Sequence, residues 1–130
     1  MKDADACSAD VVDASIRIHR ELGPGLLESV YEVVLAADLV RRGLKVERQR
    51  PVDIRFDGMV FPAAFRVDLL VNECLVVEIK SVEKLTGAHA KQVLTYLRLL
   101  DQSVGLLLNF SGETMKEGIR RLVNNHRPPH

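Results

Sequence analysis

The stretch that decides the fold is residues 66–80, RVDLLVNECLVVEIK, in which two apolar runs flank a short polar segment. The runs are rich in Val, Leu and Ile, and two such runs joined by polar residues predict a β-hairpin. Each run contains one acidic residue, Asp68 or Glu78, and Lys80 follows Glu78 by two positions. Residues two apart on a strand share a face, so we expect Glu78 and Lys80 to point the same way.

The length of the hairpin turn decides whether the two carboxylates meet. In an antiparallel pair, opposed residues point to the same face and their residue numbers have a constant sum. A two-residue turn would pair Val71 with Cys74, and it would send the two carboxylates to opposite faces. A three-residue turn pairs Val71 with Leu75, and this register sets the carboxylates opposite each other. A shared site for Asp68 and Glu78 therefore requires the three-residue turn.

The chemistry of these three charged residues is that of phosphodiester hydrolysis. Charges inside apolar strands are expensive to bury unless they pair or bind something. Carboxylate oxygens suit Mg²⁺ or Mn²⁺, which can polarise a phosphate and activate a water, while a lysine can stabilise developing charge. Asp68, Glu78 and Lys80 are therefore the catalytic candidates. The alternative is three solvated residues on an exposed sheet face, because an acidic residue ahead of Glu-x-Lys occurs in many unrelated domains.

Two helices are predicted before the hairpin, over residues 10–22 and 26–42, with Gly23-Pro24-Gly25 between them. Gly43 stands where a glycine that ends a helix belongs. The expected buried side of the second helix comprises four apolar residues: Leu27, Val30, Val34 and Leu35.

The rest of the chain alternates strands and helices. Strands are expected at residues 51–56 and 59–61 around an Asp57-Gly58 turn, and at 104–110, with helices at 86–100 and 115–124. This order predicts an α/β sandwich with a mixed sheet. The domain is expected over residues 10–125, between a flexible N-terminus, 1–9, and a frayed tail, 126–130.

Composition limits the classes of protein that the chain can represent. At 130 residues, 47% hydrophobic and 28% charged, the chain suits one globular domain. Its apolar stretches are too short to cross a bilayer, and its N-terminal residues lack the pattern of a secretion signal. We therefore expect a cytoplasmic protein, with reduced thiols at Cys7 and Cys74. Its net charge of zero gives no global attraction to nucleic acid. The densest basic segment comprises Arg41, Arg42, Lys45, Arg48 and Arg50.

Two further motifs flank the strand pair: Gly-x-x-Glu-x-x-Tyr over residues 25–31, and Gln-x-x-x-Tyr over residues 92–96 on the third helix. Together with residues 66–70, 77–80 and 105–110, they make the chain resemble the bacterial GxxExxY family within the PD-(D/E)xK nuclease-like superfamily. The resemblance runs from about residue 11 to residue 123. It implies a three-layer sandwich with a mixed central sheet flanked by helices.

The resemblance also implies roles for individual residues. Glu28, Asp68, Glu78 and the Ile79 backbone carbonyl look like ligands of Mg²⁺ or Mn²⁺, with Lys80 as the catalytic lysine. Four other residues are the expected substrate contacts: Gln92, Tyr96, Tyr31 and His89. The alternatives are an ordinary first-turn position for Glu28, near the positive end of the helix dipole, and a plain polar edge for the stripe on the third helix.

The expected function is a divalent-metal-dependent nuclease acting on DNA, with RNA as the second choice. A homodimer or a partner protein would supply specificity. The alternative is a non-catalytic nucleic-acid-binding or protein-interaction module that keeps the nuclease fold. One departure from the family lies in the hairpin turn, where a common Gly is Glu73 here. Asn72 is the best candidate for the left-handed conformation of that turn.

Overall fold

Residues 2–124 are described by the computed structural model, and they form a five-stranded mixed sheet flanked by three α-helices. The strands, adjacent in chain order, are β1 (Val46–Phe56), β2 (Met59–Val71), β3 (Leu75–Lys80), β4 (Val104–Asn109) and β5 (Ile119–Val123). The helices are α1 (Ala4–Leu22), α2 (Glu28–Arg41) and α3 (Gly87–Leu100). Strands β3 and β4 run parallel, and the other neighbouring pairs are antiparallel. This architecture confirms the predicted fold class.

The helices cover the two faces of the sheet. On one face, Leu75, Val77 and Ile79 of β3 pack in a core with α1 and α2. On the other face, Val76 packs with Val93 and Leu97 of α3 in a second core. The alternation along β3 therefore directs Glu78 and Lys80 towards the face that carries α3.

The turn between β2 and β3 has three residues, as the shared site requires. Val71 pairs with Leu75 and Leu69 with Val77, which is the predicted register. Asn72 and Glu73 both adopt positive φ values, 49° and 57°. The prediction for Asn72 is confirmed, and Glu73 also takes the conformation that its Gly counterpart would adopt without strain.

Both predicted helices before the sheet need correction. Helix α1 begins at Ala4 rather than residue 10, because the Asp3 side chain caps its first turn and Cys7 is fully buried. The buried face of α2 is formed by Tyr31, Leu35 and Leu39. Of the residues expected there, Leu35 is buried and Val34 partly buried, whereas Leu27 is 73% exposed and Val30 is 39% exposed.

The predicted last helix, residues 115–124, is wrong. The chain makes a single 3-10 turn at Lys116–Gly118 and then forms strand β5, which pairs with the buried strand β4. Gly118 permits this path, because a Cβ atom there would clash with the Asn109 carbonyl oxygen. The sheet thus gains a backbone partner for β4 that a helix could not provide. The expected frayed tail, 126–130, lies outside the described residues.

Candidate metal and catalytic site

Strands β2 and β3 separate where the two predicted site carboxylates stand. Their backbone pairing ends at Leu69 and Val77, whereas pairing between β3 and β4 continues to Lys80 and Asn109. Asp68 and Glu78 occupy the next position of the β2–β3 register. We refer to this opening, bounded by Asp68 and Glu78, as the fork.

The carboxylates at the fork take the place of the missing backbone hydrogen bonds. The Ile79 N–H donates to Asp68 Oδ2 at 2.8 Å, and the Asp68 N–H donates to Glu78 Oε1 at 3.3 Å. Each acidic side chain therefore accepts a hydrogen bond from the backbone of the other strand, and these two bonds hold the carboxyl groups close together. The sequence prediction that Asp68 and Glu78 converge on one side is confirmed.

Burial leaves Glu78 in an unfavourable environment for a charge. Its side chain belongs to a residue that is only 4% exposed. Burial first, and then a hydrogen bond and charge repulsion from Asp68, raise the pKa of Glu78 to about 9, although the charge of Lys80 lowers it in part. Glu78 is therefore protonated at neutral pH and can donate a hydrogen bond to Asp68.

A second set of polar residues connects the fork to α2. Gln49 Nε2 donates to Asp68 Oδ1 at 3.2 Å and to Glu32 Oε1 at 2.5 Å, and Arg48 forms a 3.0 Å ion pair with the other oxygen of Glu32. Sequence reasoning missed Glu32 and Gln49. Glu32 could have been found, because it lies four residues after Glu28 and hence on the same helix face. Gln49 carried no such signal, because its position depends on a positive φ of 52° within β1.

Glu28 reaches the end of β3 but does not join the two fork carboxylates. It is exposed, and its Oε2 accepts a hydrogen bond from the Ser81 N–H at 3.1 Å. Ser81 Oγ in turn donates to the Leu26 carbonyl at 3.1 Å. Within residues 2–124, no group of three or more His, Cys, Asp or Glu side chains is arranged to hold one metal ion. The structure thus assembles a pair of carboxylates, with Glu28 anchoring the segment that follows Lys80.

Lys80 and the chain after it are held by Asn109. Lys80 is partly buried, and none of the ion pairs between described residues includes it. The buried Asn109 amide accepts from the Val82 N–H at 3.1 Å and donates to the Val82 carbonyl at 2.9 Å. Asn109, another residue that sequence reasoning missed, therefore fixes the path of the chain as it leaves the site.

Helix α3 brings one of its predicted contacts to the fork. Tyr96 stacks on Phe65 with ring centroids 4.3 Å apart, and burial followed by the charges of Glu78 and Asp68 raises its pKa. Gln92, one turn earlier, is exposed on the same helix. His89 instead helps to begin the helix, because its Nδ1 accepts the Thr86 N–H at 3.0 Å. This capping role was not predicted.

Tyr31 is a structural residue in this molecule rather than a substrate contact. It is fully buried and stacks on Phe110 at 4.3 Å. Its hydroxyl donates to the Gly23 carbonyl at 2.6 Å and accepts the Leu26 N–H at 3.2 Å. The tyrosine thereby closes the loop before α2 and positions Glu28 at the first turn of that helix. Its predicted place among the substrate-binding residues is wrong.

The basic segment offers little free positive charge. Every member is paired: Arg41 with Asp38; Arg42 with Asp10, Asp13 and Asp38; Lys45 with Glu73; Arg48 with Glu32; and Arg50 with Glu47. His19 is buried, and its Nε2 lies 2.8 Å from the Gly112 carbonyl oxygen. Neither feature adds a ligand to the fork.

Comparisons with known proteins agree with the fold. The family model described as the PD-(D/E)XK nuclease superfamily matches residues 5–122. The crystal structure of a protein designated SSO0001 is similar to this chain with a TM-score of 0.51 and 20% identity, covering 92% of this chain and 67% of that one. No curated protein gives a significant match. The narrower GxxExxY resemblance stays a prediction.

No helix within residues 2–124 combines the length and apolar character that crossing a membrane requires.

Proposed function

The chain belongs to the PD-(D/E)XK nuclease superfamily, and we propose that it is a divalent-metal-dependent nuclease that hydrolyses phosphodiester bonds of DNA. The observation that carries this proposal is the fork, where a buried Glu78 stands against Asp68 with Lys80 two residues away. Polar groups buried together in this way are unfavourable for folding, and they are typical of sites that bind a ligand or catalyse a reaction.

The residues at the fork fit a divalent cation. Asp68 and Glu78 supply carboxylate oxygens, and the Ile79 carbonyl is expected to face the fork as its N–H does, because both groups of a residue face one neighbour in an antiparallel ladder. Mg²⁺ commonly uses only one or two carboxylates and keeps several waters, so a third carboxylate is not required. Asp68, Glu78 and Ile79 would hold Mg²⁺ or Mn²⁺, and the bound ion would supply an activated water and a polarised phosphate.

The protein's own side chains account for the remaining parts of the reaction. None of the ion pairs between described residues includes Lys80, although its charge lowers the pKa of Glu78 in part, so its ammonium is available to a phosphate oxygen as charge develops there. Glu28 keeps the chain after Lys80 in place through Ser81. Its role as a metal ligand stays a prediction.

Substrate contacts are proposed on α3, beside the fork. Tyr96 lies beside Asp68 and Glu78, its pKa is raised by burial first and then by their charges when both are ionised, and Gln92 is exposed one turn earlier on the same helix. An aromatic ring and an amide suit the contact of a base or sugar close to a scissile phosphate. A homodimer or a partner protein would supply any sequence specificity.

A second candidate function is a non-catalytic nucleic-acid-binding or protein-interaction module that keeps this fold. Two observations favour it. The basic segment is neutralised by internal ion pairs, and the described residues provide two converging carboxylates rather than three. The two functions differ in one respect that can be measured, which is whether the fork supports metal-dependent cleavage.

The test is incubation of the full chain with single- and double-stranded DNA and RNA, in Mn²⁺, in Mg²⁺ and in EDTA. We expect cleavage of DNA in metal only. Lys80→Ala should lower the rate by about 10²–10³-fold, the effect of losing one group that stabilises transition-state charge. Lys45→Ala is the matched control, because Lys45 pairs with Glu73 at the far end of the hairpin. If none of the four substrates is cleaved in either metal, the binding-module function replaces the nuclease.

A further inference from the structure

The two cysteines, distant in sequence, lie together at the turn end of the β2–β3 hairpin. Cys7 belongs to α1 and is fully buried, whereas Cys74 is the last residue of the hairpin turn and is partly exposed. Both sulfurs contact the same acceptor, the Lys2 carbonyl oxygen, at 3.6 Å for Cys7 and 3.9 Å for Cys74. Neither position was expected to be near the other, because each was predicted only as a reduced thiol.

Asn72 fixes the geometry of this pair. Its side-chain amide donates to Cys7 Sγ at 3.3 Å and to the Lys2 carbonyl at 3.4 Å, while its Oδ1 accepts the Lys45 N–H at 2.8 Å. Burial first, and then the charge of Cys74 and a hydrogen bond with it, raise the pKa of the Cys7 thiol. The thiols are therefore direct neighbours in a part of the molecule that hydrogen bonds hold in place.

We propose that Cys7 and Cys74 form a site of oxidative modification, where a peroxide converts the two thiols into an intramolecular disulfide. The bond would fasten the start of α1 to the turn of the hairpin that carries Asp68 and Glu78. This inference is independent of the proposed nuclease function, because it uses only the positions of the two sulfurs.

The exposure of the two thiols sets the order of the chemistry. The partly exposed Cys74 thiol loses its proton to solvent, and the thiolate attacks the peroxide and breaks the O–O bond. This gives a sulfenic acid on Cys74 and a hydroxide, which takes up that proton to become one water. The buried Cys7 thiol then attacks that sulfur, the S–S bond forms and a second water leaves. Overall, two thiols and one hydrogen peroxide become one disulfide and two waters. A thiol reductant reverses the reaction, which suits a reversible bond in a reducing compartment.

The disulfide should stabilise the folded protein. In the unfolded state the bond would close a loop of about half of the chain, and cross-links that close long loops stabilise a protein the most. For a domain of this size, we expect oxidation to raise Tm by roughly 10 °C. Because the two sulfurs are already neighbours, the folded state needs little rearrangement.

The experiment treats the full chain with hydrogen peroxide and measures intact mass, free thiols and Tm. We expect the wild type to lose two hydrogens as a monomer, to lose both titratable thiols, and to show the raised Tm until dithiothreitol is added. Cys74→Ser should leave the buried Cys7 unmodified, and Cys7→Ala should stop at an oxidised Cys74 that a sulfenic-acid probe labels. Cys7→Ala keeps a small apolar group at the buried position, so a folded control is retained.

Two results would overturn the proposal. One is a wild type whose two thiols both remain available to an alkylating agent after peroxide treatment. The other is a disulfide found only between chains, which would show that the two sulfurs within one chain cannot reach each other. A lower Tm after formation of the intramolecular bond would contradict the expected fit with the folded state.

Discussion

The two ends of the β2–β3 hairpin differ in how they satisfy their polar groups. At the turn end, the Asn72 amide bonds to the Lys45 N–H and to the Lys2 carbonyl, so its donors and acceptor have partners. At the fork, Glu78 is buried beside Asp68 and is held neutral by a pKa of about 9. The hydrogen-bonded Asn72 amide and the buried, crowded Glu78 carboxyl therefore lie only a few residues apart on the same hairpin.

This difference indicates that the turn end contributes to stability and that the fork contributes to function. Satisfied buried polar groups stabilise one conformation, whereas crowded carboxylates oppose folding until a cation or a proton neutralises them. We therefore expect changes at the turn end to alter stability with little effect on catalysis. Changes at the fork should do the reverse. The predictions that follow test this separation.

The largest effect is expected at the fork. Asp68→Asn should lower metal-dependent cleavage by about 10³-fold or more, because one of two charged ligands is lost. Its free energy of unfolding should stay within about 1 kcal/mol of wild type, since an amide oxygen can still accept the Ile79 N–H. Cleavage assays and urea denaturation measure the two quantities. If the variant is largely unfolded and its remaining folded fraction cleaves normally, Asp68 is a structural residue and not a metal ligand.

The opposite result is expected at the turn end. Asn72→Ala should lower the free energy of unfolding by about 2–4 kcal/mol, because it removes buried hydrogen bonds and places Ala at a φ of 49°. The cleavage rate of the folded fraction should not change. Asn72→Gly is the control, since Gly tolerates the conformation and isolates the loss of the amide. Equal losses for both variants would show that backbone conformation contributes nothing.

These contrasts also show which features the sequence could and could not predict. The meeting of Asp68 and Glu78 was predictable because a hairpin register follows from turn length alone. The buried face of α2 was not, because Tyr31 is buried against Phe110, a residue distant in sequence, whereas Leu27 precedes the helix as its N-cap and is exposed. Strand β5 was missed because its pairing with β4 overrides a local helical pattern.

The pH dependence of stability should report the buried carboxyl of Glu78. Its pKa is about 9 in the folded state against 4.5 for an unperturbed glutamate, so the folded state binds the extra proton between these values. The free energy of unfolding should fall as pH rises through that window, and the contribution is lost above the folded pKa. Glu78→Gln should remove this slope. A parallel pH profile for wild type and variant would show that Glu78 is ionised in the folded state.

The smallest effect is expected at Glu73. Replacing Glu73 by Gly relieves the positive φ of 57° and should raise the free energy of unfolding by about 0.5 kcal/mol. Loss of its exposed ion pair with Lys45 should matter little. Glu73→Gln separates the two effects, because it removes the charge and keeps the strained conformation. A stabilised Gln variant would assign the gain to charge rather than to backbone strain.

The most direct test of the fork as a metal site is calorimetric titration of the protein with Mn²⁺ near pH 7.5, in buffers of different ionisation enthalpy. The wild type should bind one Mn²⁺ per chain and release about one proton, because Glu78 must lose its proton to become a ligand. Asp68→Asn and Glu78→Gln should show no binding at the same concentrations. A wild type that binds no Mn²⁺, or variants that bind it as the wild type does, would contradict the metal site at the fork.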